Sequence, residues 1–168
     1  MFEKFGIMDY EELMHTAAAE KKEGDLEALI CLAKENGLEK EDAEDYMDGI
    51  VNTFATPYMA AVAKIEGEAR ELGIKGHQSD QKDTILAILD DDEELCLAVR
   101  KKEKSLAECL ARILSYSSKT ATEIPEAIVK LAECRINGKK EKMRRPVYEG
   151  GETRSDVKRI ARQYFLEV

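Results

Sequence analysis

Apolar residues recur three and four positions apart along almost the whole chain, which is the spacing of helices that each bury one face. Within residues 26–33, for example, Leu26, Leu29, Ile30 and Ala33 fall on one side of a helix. The 168 residues include only 10 glycines and 3 prolines, so turn-rich all-β folds are disfavoured. We therefore predict an all-α fold, a multi-helix globular domain of about seven to eight short helices.

Capping residues indicate where these helices begin and end. Asp9, with Glu12 three residues later, has the pattern of a capping box. Gly24 and Gly73 are typical of helix ends, and Thr56 followed by a proline is typical of a helix start. Further helix starts are predicted at Asp25, at Ser79 or Asp80, at Asp91 or Asp92, at Ser105 and at Ser155.

The second half of the chain contains one segment without a helical pattern. A helix that opens at Glu123-Ile124-Pro125 is predicted to stop at Asn137-Gly138. Residues 139–154 are rich in Lys, Arg and Gly, which predicts a mobile loop. The same stretch also allows a short β excursion near residues 143–149.

A polar segment with two glycines divides the chain near its middle and is typical of a linker. We predict an acidic helical subdomain over residues 1–73, a linker over 74–83 and a basic helical subdomain over 84–168. Residues 1–95 contain 9 Lys and Arg against 25 Asp and Glu, whereas residues 96–168 contain 17 against 10. Such opposite charges either draw the two halves together or join two chains head to tail as a homo-oligomer.

The acidic residues are densest in two places. Six of the ten residues from 39 to 48 are acidic, and a second run of acids begins at residue 90. Like charges three and four positions apart repel each other, so this arrangement serves either solubility or a basic partner. The candidate partner-binding residues are Glu39, Glu41, Asp42, Glu44, Asp45, Asp48, Asp90, Asp91 and Asp92.

The basic residues of the second half also form two groups, which is typical of phosphate binding. No aromatic residue interrupts the first group, so base stacking is not supported, and the pI of about 4.9 opposes attraction to nucleic acid. The candidate nucleic-acid-binding residues are Arg100, Lys101, Lys102, Lys104, Lys139, Lys140, Lys142, Arg144 and Arg145.

Residues that carry chemistry are sparse. The two histidines have no partner at metal-binding spacing, and no two cysteines form a C-x-x-C pair. We expect no catalytic residue, no cofactor and no bound metal, and reduced thiols among apolar neighbours at Cys31, Cys96 and Cys109. A deep pocket lined by perturbed His, Cys or carboxylate groups would instead favour an enzyme. Without a long apolar run or a signal-peptide pattern, we expect a cytoplasmic protein with no membrane contact.

Several segments together resemble one protein family. They are "MFEKFG", "EGDLEALICLAKENGLEKEDAEDYMDGIV", "ATPYMAAVAKIEGEARELG", "EELCLAVRKKEKSLAECLARILSYS" and "KRIARQYFLEV". In these segments the chain resembles the type II-A anti-CRISPR proteins, inhibitors of an RNA-guided nuclease, a family that overlaps the PcfK-like proteins of conjugative elements. The sequence departs from the family pattern over residues 74–92 and 136–154.

The resemblance implies a protein partner, a type II CRISPR effector nuclease, and an inhibitor that carries out no reaction itself. Such nucleases hold nucleic acid in positively charged channels, which an acidic protein can occupy in place of phosphates. The charge pattern, rather than the family, assigns the acidic residues to that surface. The alternative is a nucleic-acid-associated accessory protein of a conjugative or phage element that uses the basic second half.

Overall fold

The computed structural model describes residues 5–136 and 138–167, and these residues form a mostly helical domain. The expected all-α class with a short β excursion is confirmed, although the described residues form nine helices rather than seven or eight. They are α1 (Tyr10–Glu23), α2 (Leu26–Glu35), α3 (Lys40–Met47), α4 (Pro57–Leu72), α5 (His77–Leu86), α6 (Glu93–Arg100), α7 (Leu106–Thr120), α8 (Glu126–Leu131) and α9 (Arg154–Leu166).

Most helices begin where the capping residues predict. Asp9 and Glu12 form the expected capping box at the start of α1. The side chains of Asp25, Thr56, Asp92 and Ser105 each accept a hydrogen bond from a backbone N–H in the first turn of the helix that follows. Local side-chain chemistry therefore determines where these helices start.

The predicted start of α9 at Ser155 is wrong by two residues. Thr153 caps this helix, because its hydroxyl oxygen accepts a hydrogen bond from the N–H of Asp156 at 3.2 Å. The side chain of Asp156 in turn accepts a hydrogen bond from the N–H of Thr153 at 3.1 Å. This reciprocal capping box satisfies two backbone donors, whereas a cap at Ser155 offers no such pair.

Within the described part of the chain, four short strands form two antiparallel pairs. β1 (Thr122–Glu123) pairs with β4 (Tyr148–Glu149), and β2 (Glu133–Ile136) pairs with β3 (Lys139–Lys142). β4 lies inside the stretch 143–149 where a β excursion is expected. Residues 139–142, expected in a mobile loop, belong instead to β3.

The helix expected to run to Asn137-Gly138 ends at Leu131, so the prediction is wrong beyond that residue. Residues 133–136 pair instead with 139–142, in a register that places Ile136 opposite Lys139. Asn137 lies outside the described residues. Gly138 has a φ of 78°, the left-handed conformation that a two-residue hairpin loop requires. A glycine after a helical pattern can end the helix or follow a strand, and the pairing of residues 133–136 with 139–142 shows two strands here.

The segment predicted as a linker, residues 74–83, contains most of α5 instead. This helix begins at His77, before the expected caps Ser79 and Asp80. His77 and Gln81 lie one turn apart, and both contact the carboxylate of Glu152, 75 and 71 positions away. These distant contacts favour a helical start that the local sequence does not mark. The division into two subdomains stays a prediction.

Two hydrophobic cores meet along α4. One core is built from α1, α2, α3 and the following loop, and the other from α5, α6, α7 and α9. Ala60 packs in the first core, whereas Ala61 and Ile65 pack in the second. Successive residues of a helix point about 100° apart, so one helix supplies both cores with a buried face.

The segment that follows α6 is held against the start of α1. The N–H of Lys102 donates to Asp9 Oδ1 at 2.7 Å, and Lys102 Nζ lies 2.6 Å from Glu12 Oε2. Part of the positive charge of the second half therefore neutralises acids of the first half within one chain.

Candidate partner-binding surfaces

Helix α3 carries the densest acidic face of the protein. Among the residues that the structure describes, Lys40 is the single cation in an ion pair with this face, and it binds Glu44 at 2.6 Å. Glu39 and Asp42 are used in the capping box at the helix start. Glu41 and Asp48 are exposed and Asp45 is half-buried, and none of their carboxylates forms an ion pair within the described chain.

The charge of α3 opposes its own helix dipole. The last turn contains no basic residue, and Asp45 and Asp48 lie there instead. Negative side chains near a helix C-terminus are destabilising by a few tenths of a kcal/mol to about 1 kcal/mol each. The helices α1, α2, α4, α6, α7 and α8 all have a basic residue in the last turn. The helices α5 and α9 lack one as α3 does, and at the end of α3 the Nζ of Lys21 donates to the carbonyl oxygen of Tyr46, so a cation from α1 compensates part of this unfavourable charge.

Exposed apolar residues follow the acidic face directly. The N–H groups of Ile50 and Val51 both donate to the carbonyl oxygen of Asp45, at 2.9 and 3.3 Å, so this turn is tied to α3. Ile50 is nevertheless 70% exposed, and Tyr58, at the start of α4, is 45% exposed. Apolar and aromatic residues beside carboxylates are typical of a surface that binds protein.

The second acidic run lies beside Tyr58. Asp90, Asp91, Asp92 and Tyr58 all line an open cavity of about 430 Å³. Asp90 and Asp91 are exposed. Asp92 has a structural role, because its carboxylate accepts the N–H of Leu95 at 3.0 Å and pairs with Arg162, contacts that hold its pKa below the ordinary value.

The first basic group is largely occupied inside the protein. Arg100 is 1% exposed, and its guanidinium donates to the Ala60 carbonyl oxygen and to Asn36 Oδ1. Lys104 Nζ donates to the carbonyl oxygens of Tyr164 and Glu167, at 2.9 and 2.7 Å. Lys102 is paired with Glu12, as described above, so Lys101 is the member of this group with an exposed side chain and no ion pair in the described chain.

The second basic group is divided between paired and unpaired residues. Lys140 pairs with Glu133 at 2.7 Å, and Arg145 pairs with Glu123 and Glu126 at 2.9 and 2.8 Å. The members that are exposed and without an ion pair among the described residues are Lys139, Lys142 and Arg144. The first basic group precedes α7 in the chain, and the second basic group forms ion pairs with residues that follow α7. The length of α7, roughly 22 Å, therefore lies between them.

A groove that the sequence pattern did not indicate lies between α5 and α7. It has a volume of about 540 Å³, and apolar side chains such as Leu72 and Leu110 line most of it. At one end Glu152 accepts hydrogen bonds from His77, Gln81 and Ser117. Burial acts to raise the pKa of Glu152, but these donors and its own backbone N–H outweigh burial and lower it to about 2.

The arrangement around Glu152 does not activate a nucleophile. The carboxylate lies between His77 and Ser117, whereas a catalytic relay places histidine between serine and acid. With a pKa near 2, this carboxylate is a weak base at neutral pH. Its contacts instead attach residue 152 to α5 and α7, which positions the start of α9. In the sequence, the signal for this site was the histidine within residues 74–83. That histidine did not indicate that Glu152, far along the chain, would be its partner.

The cysteines are free thiols, and their environments differ. Burial raises the pKa of Cys96 to about 11 and that of Cys109 to about 12, so neither is reactive at neutral pH. Cys31, expected among apolar neighbours, is half-buried, and its sulfur donates to Glu35 Oε1 at 3.3 Å.

Comparisons with protein-family models, with curated proteins and with solved structures found no match to this chain. In residues 5–136 and 138–167, no helix has the length and apolar character needed to cross a membrane. The same residues bring together no cluster of three His, Cys, Asp or Glu side chains suited to a metal ion.

Proposed function

We propose that this protein is a recognition protein without catalytic activity, which binds a positively charged partner through the acidic face of α3. The observation that carries the proposal is a group of three carboxylates in one short segment, Glu41, Asp45 and Asp48, that form no ion pair in the described chain. Of the nine candidate basic residues, five are buried or bound to acceptors within the protein. Asp45 and Asp48 also oppose the dipole of their own helix.

Exposed apolar residues beside the two acidic runs, Ile50 after α3 and Tyr58 beside Asp90 and Asp91, support a protein partner. Carboxylates provide long-range attraction and register, whereas Ile50 and Tyr58 offer area that water leaves on contact. Tyrosine is among the residues that contribute most to binding energy in interfaces. A nucleic acid is repelled by the same face, because its phosphates are negative.

The sequence resemblance suggests which partner has the required charge. Type II RNA-guided nucleases hold their heteroduplex in a basic channel, and we propose that the α3 carboxylates take the place of phosphates there. The protein is then an inhibitor of the anti-CRISPR kind, carried by a mobile element and acting in the cytoplasm. Asp90 and Asp91, beside Tyr58, form a second contact in this proposal.

A charge-neutralised variant tests the proposal. Glu41→Gln, Asp45→Asn and Asp48→Asn are combined, and binding to a purified type II nuclease with its guide RNA is measured, together with DNA cleavage. We expect binding to weaken by about tenfold or more and inhibition of cleavage to decrease. The free energy of unfolding should stay the same or rise, because the variant removes repulsion and the unfavourable dipole contacts.

The matched control is Glu103→Gln, Glu141→Gln and Glu149→Gln, which removes the same charge from exposed residues outside the first half. Binding by the control should equal that of the unmodified protein. If the unmodified protein neither binds the nuclease nor slows cleavage, or if both variants bind equally well, the proposal is wrong.

A second candidate function rests on exposed cations in the β2–β3 hairpin and just after it. Lys139, Lys142 and Arg144 are exposed there, without an ion pair in the described residues, so they are available to phosphates. An accessory protein of this kind should shift DNA or RNA in an electrophoretic assay at low salt and release it steeply as salt rises. The triple Gln variant at these positions should lose the shift, and a lack of any shift at low salt excludes this function.

A further inference from the structure

The guanidinium of Arg100 lies buried where the two cores meet, without a carboxylate in contact. No ion pair joins it to an acid in the part of the chain that the structure describes. Its hydrogen bonds go to neutral acceptors, the carbonyl oxygen of Ala60 at 3.3 Å and Asn36 Oδ1. A buried charge is usually paired, because desolvation without a counter-charge is unfavourable.

The same side chain has donors left over. A guanidinium carries five N–H donors, and Arg100 forms two hydrogen bonds among the described residues. Its Nε is buried and has no hydrogen-bond partner there. The Nε–H and the adjacent N–H of one terminal nitrogen form the fork that binds two oxygens of an oxyanion side by side.

Arg100 lines a cavity of about 180 Å³ between α2, α4 and α6. A second cation, Lys64, lines the cavity and is 6% exposed. Gly67 leaves room in the wall, because a Cβ atom there would meet only an Arg70 nitrogen, 4.0 Å away, whereas Gly37 packs against the backbone of Ala63. The cavity is thus small, partly polar and bordered by two buried positive charges.

Two of the acids around this cavity are bound to backbone N–H groups. Its lining contains the cations Lys34, Lys64, Arg70 and Arg100 and the acids Glu35, Glu68 and Glu71. Glu35 Oε2 already accepts the N–H groups of Phe5 and Gly6, at 2.7 and 2.8 Å. Glu68 lies 3.9 Å from Lys64 Nζ and also accepts the N–H of Leu106. The lining therefore holds four cations against three acids, and no acid of the described chain forms an ion pair with Arg100.

We propose that this cavity is a binding site for a small oxyanion, a phosphate, sulfate or single carboxylate group, held by Arg100 and attracted by Lys64. Its volume is below the roughly 300 Å³ at which pockets for drug-sized ligands begin, so a whole nucleotide does not fit. Burial lowers the pKa of Arg100 to about 10, while Asp9 and Glu68 act to raise it, so the group remains a cation at neutral pH. The site does not depend on the α3 surface.

Thermal unfolding in different anions tests the site. Inorganic phosphate, sulfate and acetate are titrated at constant ionic strength, with chloride as the reference. We expect at least one oxyanion to raise Tm in a saturable way, by about 5 °C when the site is nearly full. A response to phosphate or sulfate alone indicates a tetrahedral ligand, and a response to acetate indicates a carboxylate.

Two variants assign the effect to this cavity. Gly67→Leu fills the cavity while keeping both cations, and Arg100→Gln removes the fork. We expect both to abolish the oxyanion effect. Ser118→Leu, at an exposed position of α7, is the control and should keep it. If every oxyanion acts like chloride, as expected when a water molecule satisfies the Arg100 Nε, or if Gly67→Leu retains the full effect, the proposal is wrong.

Discussion

Arg100 and Asn36, 64 positions apart in the chain, form a buried side-chain hydrogen bond that joins the two halves of the protein. Asn36 Oδ1 also accepts the N–H of Met8 at 3.0 Å, and Asn36 Nδ2 donates to the carbonyl oxygens of Gly6 and Leu32, at 3.2 and 3.0 Å. One amide side chain at the end of α2 thus connects the segment before α1 with the end of α6. The junction between the acidic and basic halves is therefore polar and specific.

Replacing Asn36 with Ala should destabilise the protein by about 2 to 4 kcal/mol. The change leaves the buried guanidinium of Arg100 with the Ala60 carbonyl oxygen as its remaining acceptor, and unpaired buried charges are costly. Urea unfolding measures the difference.

The double variant Asn36→Ala with Arg100→Met separates the lost hydrogen bonds from the stranded charge. Because methionine fills similar space without a charge, we expect the double variant to be more stable than Asn36→Ala alone. Strictly additive destabilisation in this cycle contradicts a direct coupling of the two side chains.

The Glu152 carboxylate should make stability depend on pH in the acidic range. Its pKa is lowered from 4.5 to about 2 in the folded protein, so its contribution is complete above about pH 4.5 and is lost as pH falls towards 2. Glu152→Gln should therefore destabilise the protein by about 1 to 2 kcal/mol at pH 7 and by clearly less at pH 3. Unfolding curves at both pH values measure the difference, and Glu149→Gln, at an exposed position, should show none of it. An effect of Glu152→Gln that is equal at both pH values excludes the charged form as the cause.

Two glycines should respond in opposite directions to the same substitution. Gly24 ends α1 with a φ of 75°, where alanine is strained, so Gly24→Ala should lower the free energy of unfolding by about 1 kcal/mol. Gly67 lies inside α4 with open space around its Cβ position, so Gly67→Ala should raise stability by about 0.5 to 1 kcal/mol. Thermal unfolding of both variants provides the comparison. If both substitutions raise stability, or both lower it, the helix boundaries described above are wrong.

Two leucines should differ in how much stability is lost when each is replaced by alanine, because one is buried and the other is exposed. Leu32 is 0% exposed in the first core, so Leu32→Ala should cost about 2 to 5 kcal/mol. Leu131, at the end of α8, is 86% exposed, so Leu131→Ala should change stability by less than about 0.5 kcal/mol. Chemical denaturation measures both. A large loss at Leu131 means that α8 packs against an apolar surface in solution.

The two candidate surfaces differ in how well the sequence predicted their exposure. The acidic helix α3 and its residues were predictable, because six acids in ten positions stay at the surface of almost any helix. The basic residues looked equally available in the sequence. Arg100 is buried, and Lys102, Lys104 and Arg145 bind partners far away in the chain, which no local pattern reveals.

The sequence alone determined the helical class and most helix starts, since capping side chains and apolar spacing act within a few residues of one another. This is why Asp9, Thr56 and Ser105 mark their helices correctly. Only the tertiary structure decided that residues 133–142 form a hairpin, that α5 begins at His77 and that Arg100 faces a cavity. Those outcomes depend on contacts between residues far apart in the chain, whose energies exceed the weak local preferences at these positions.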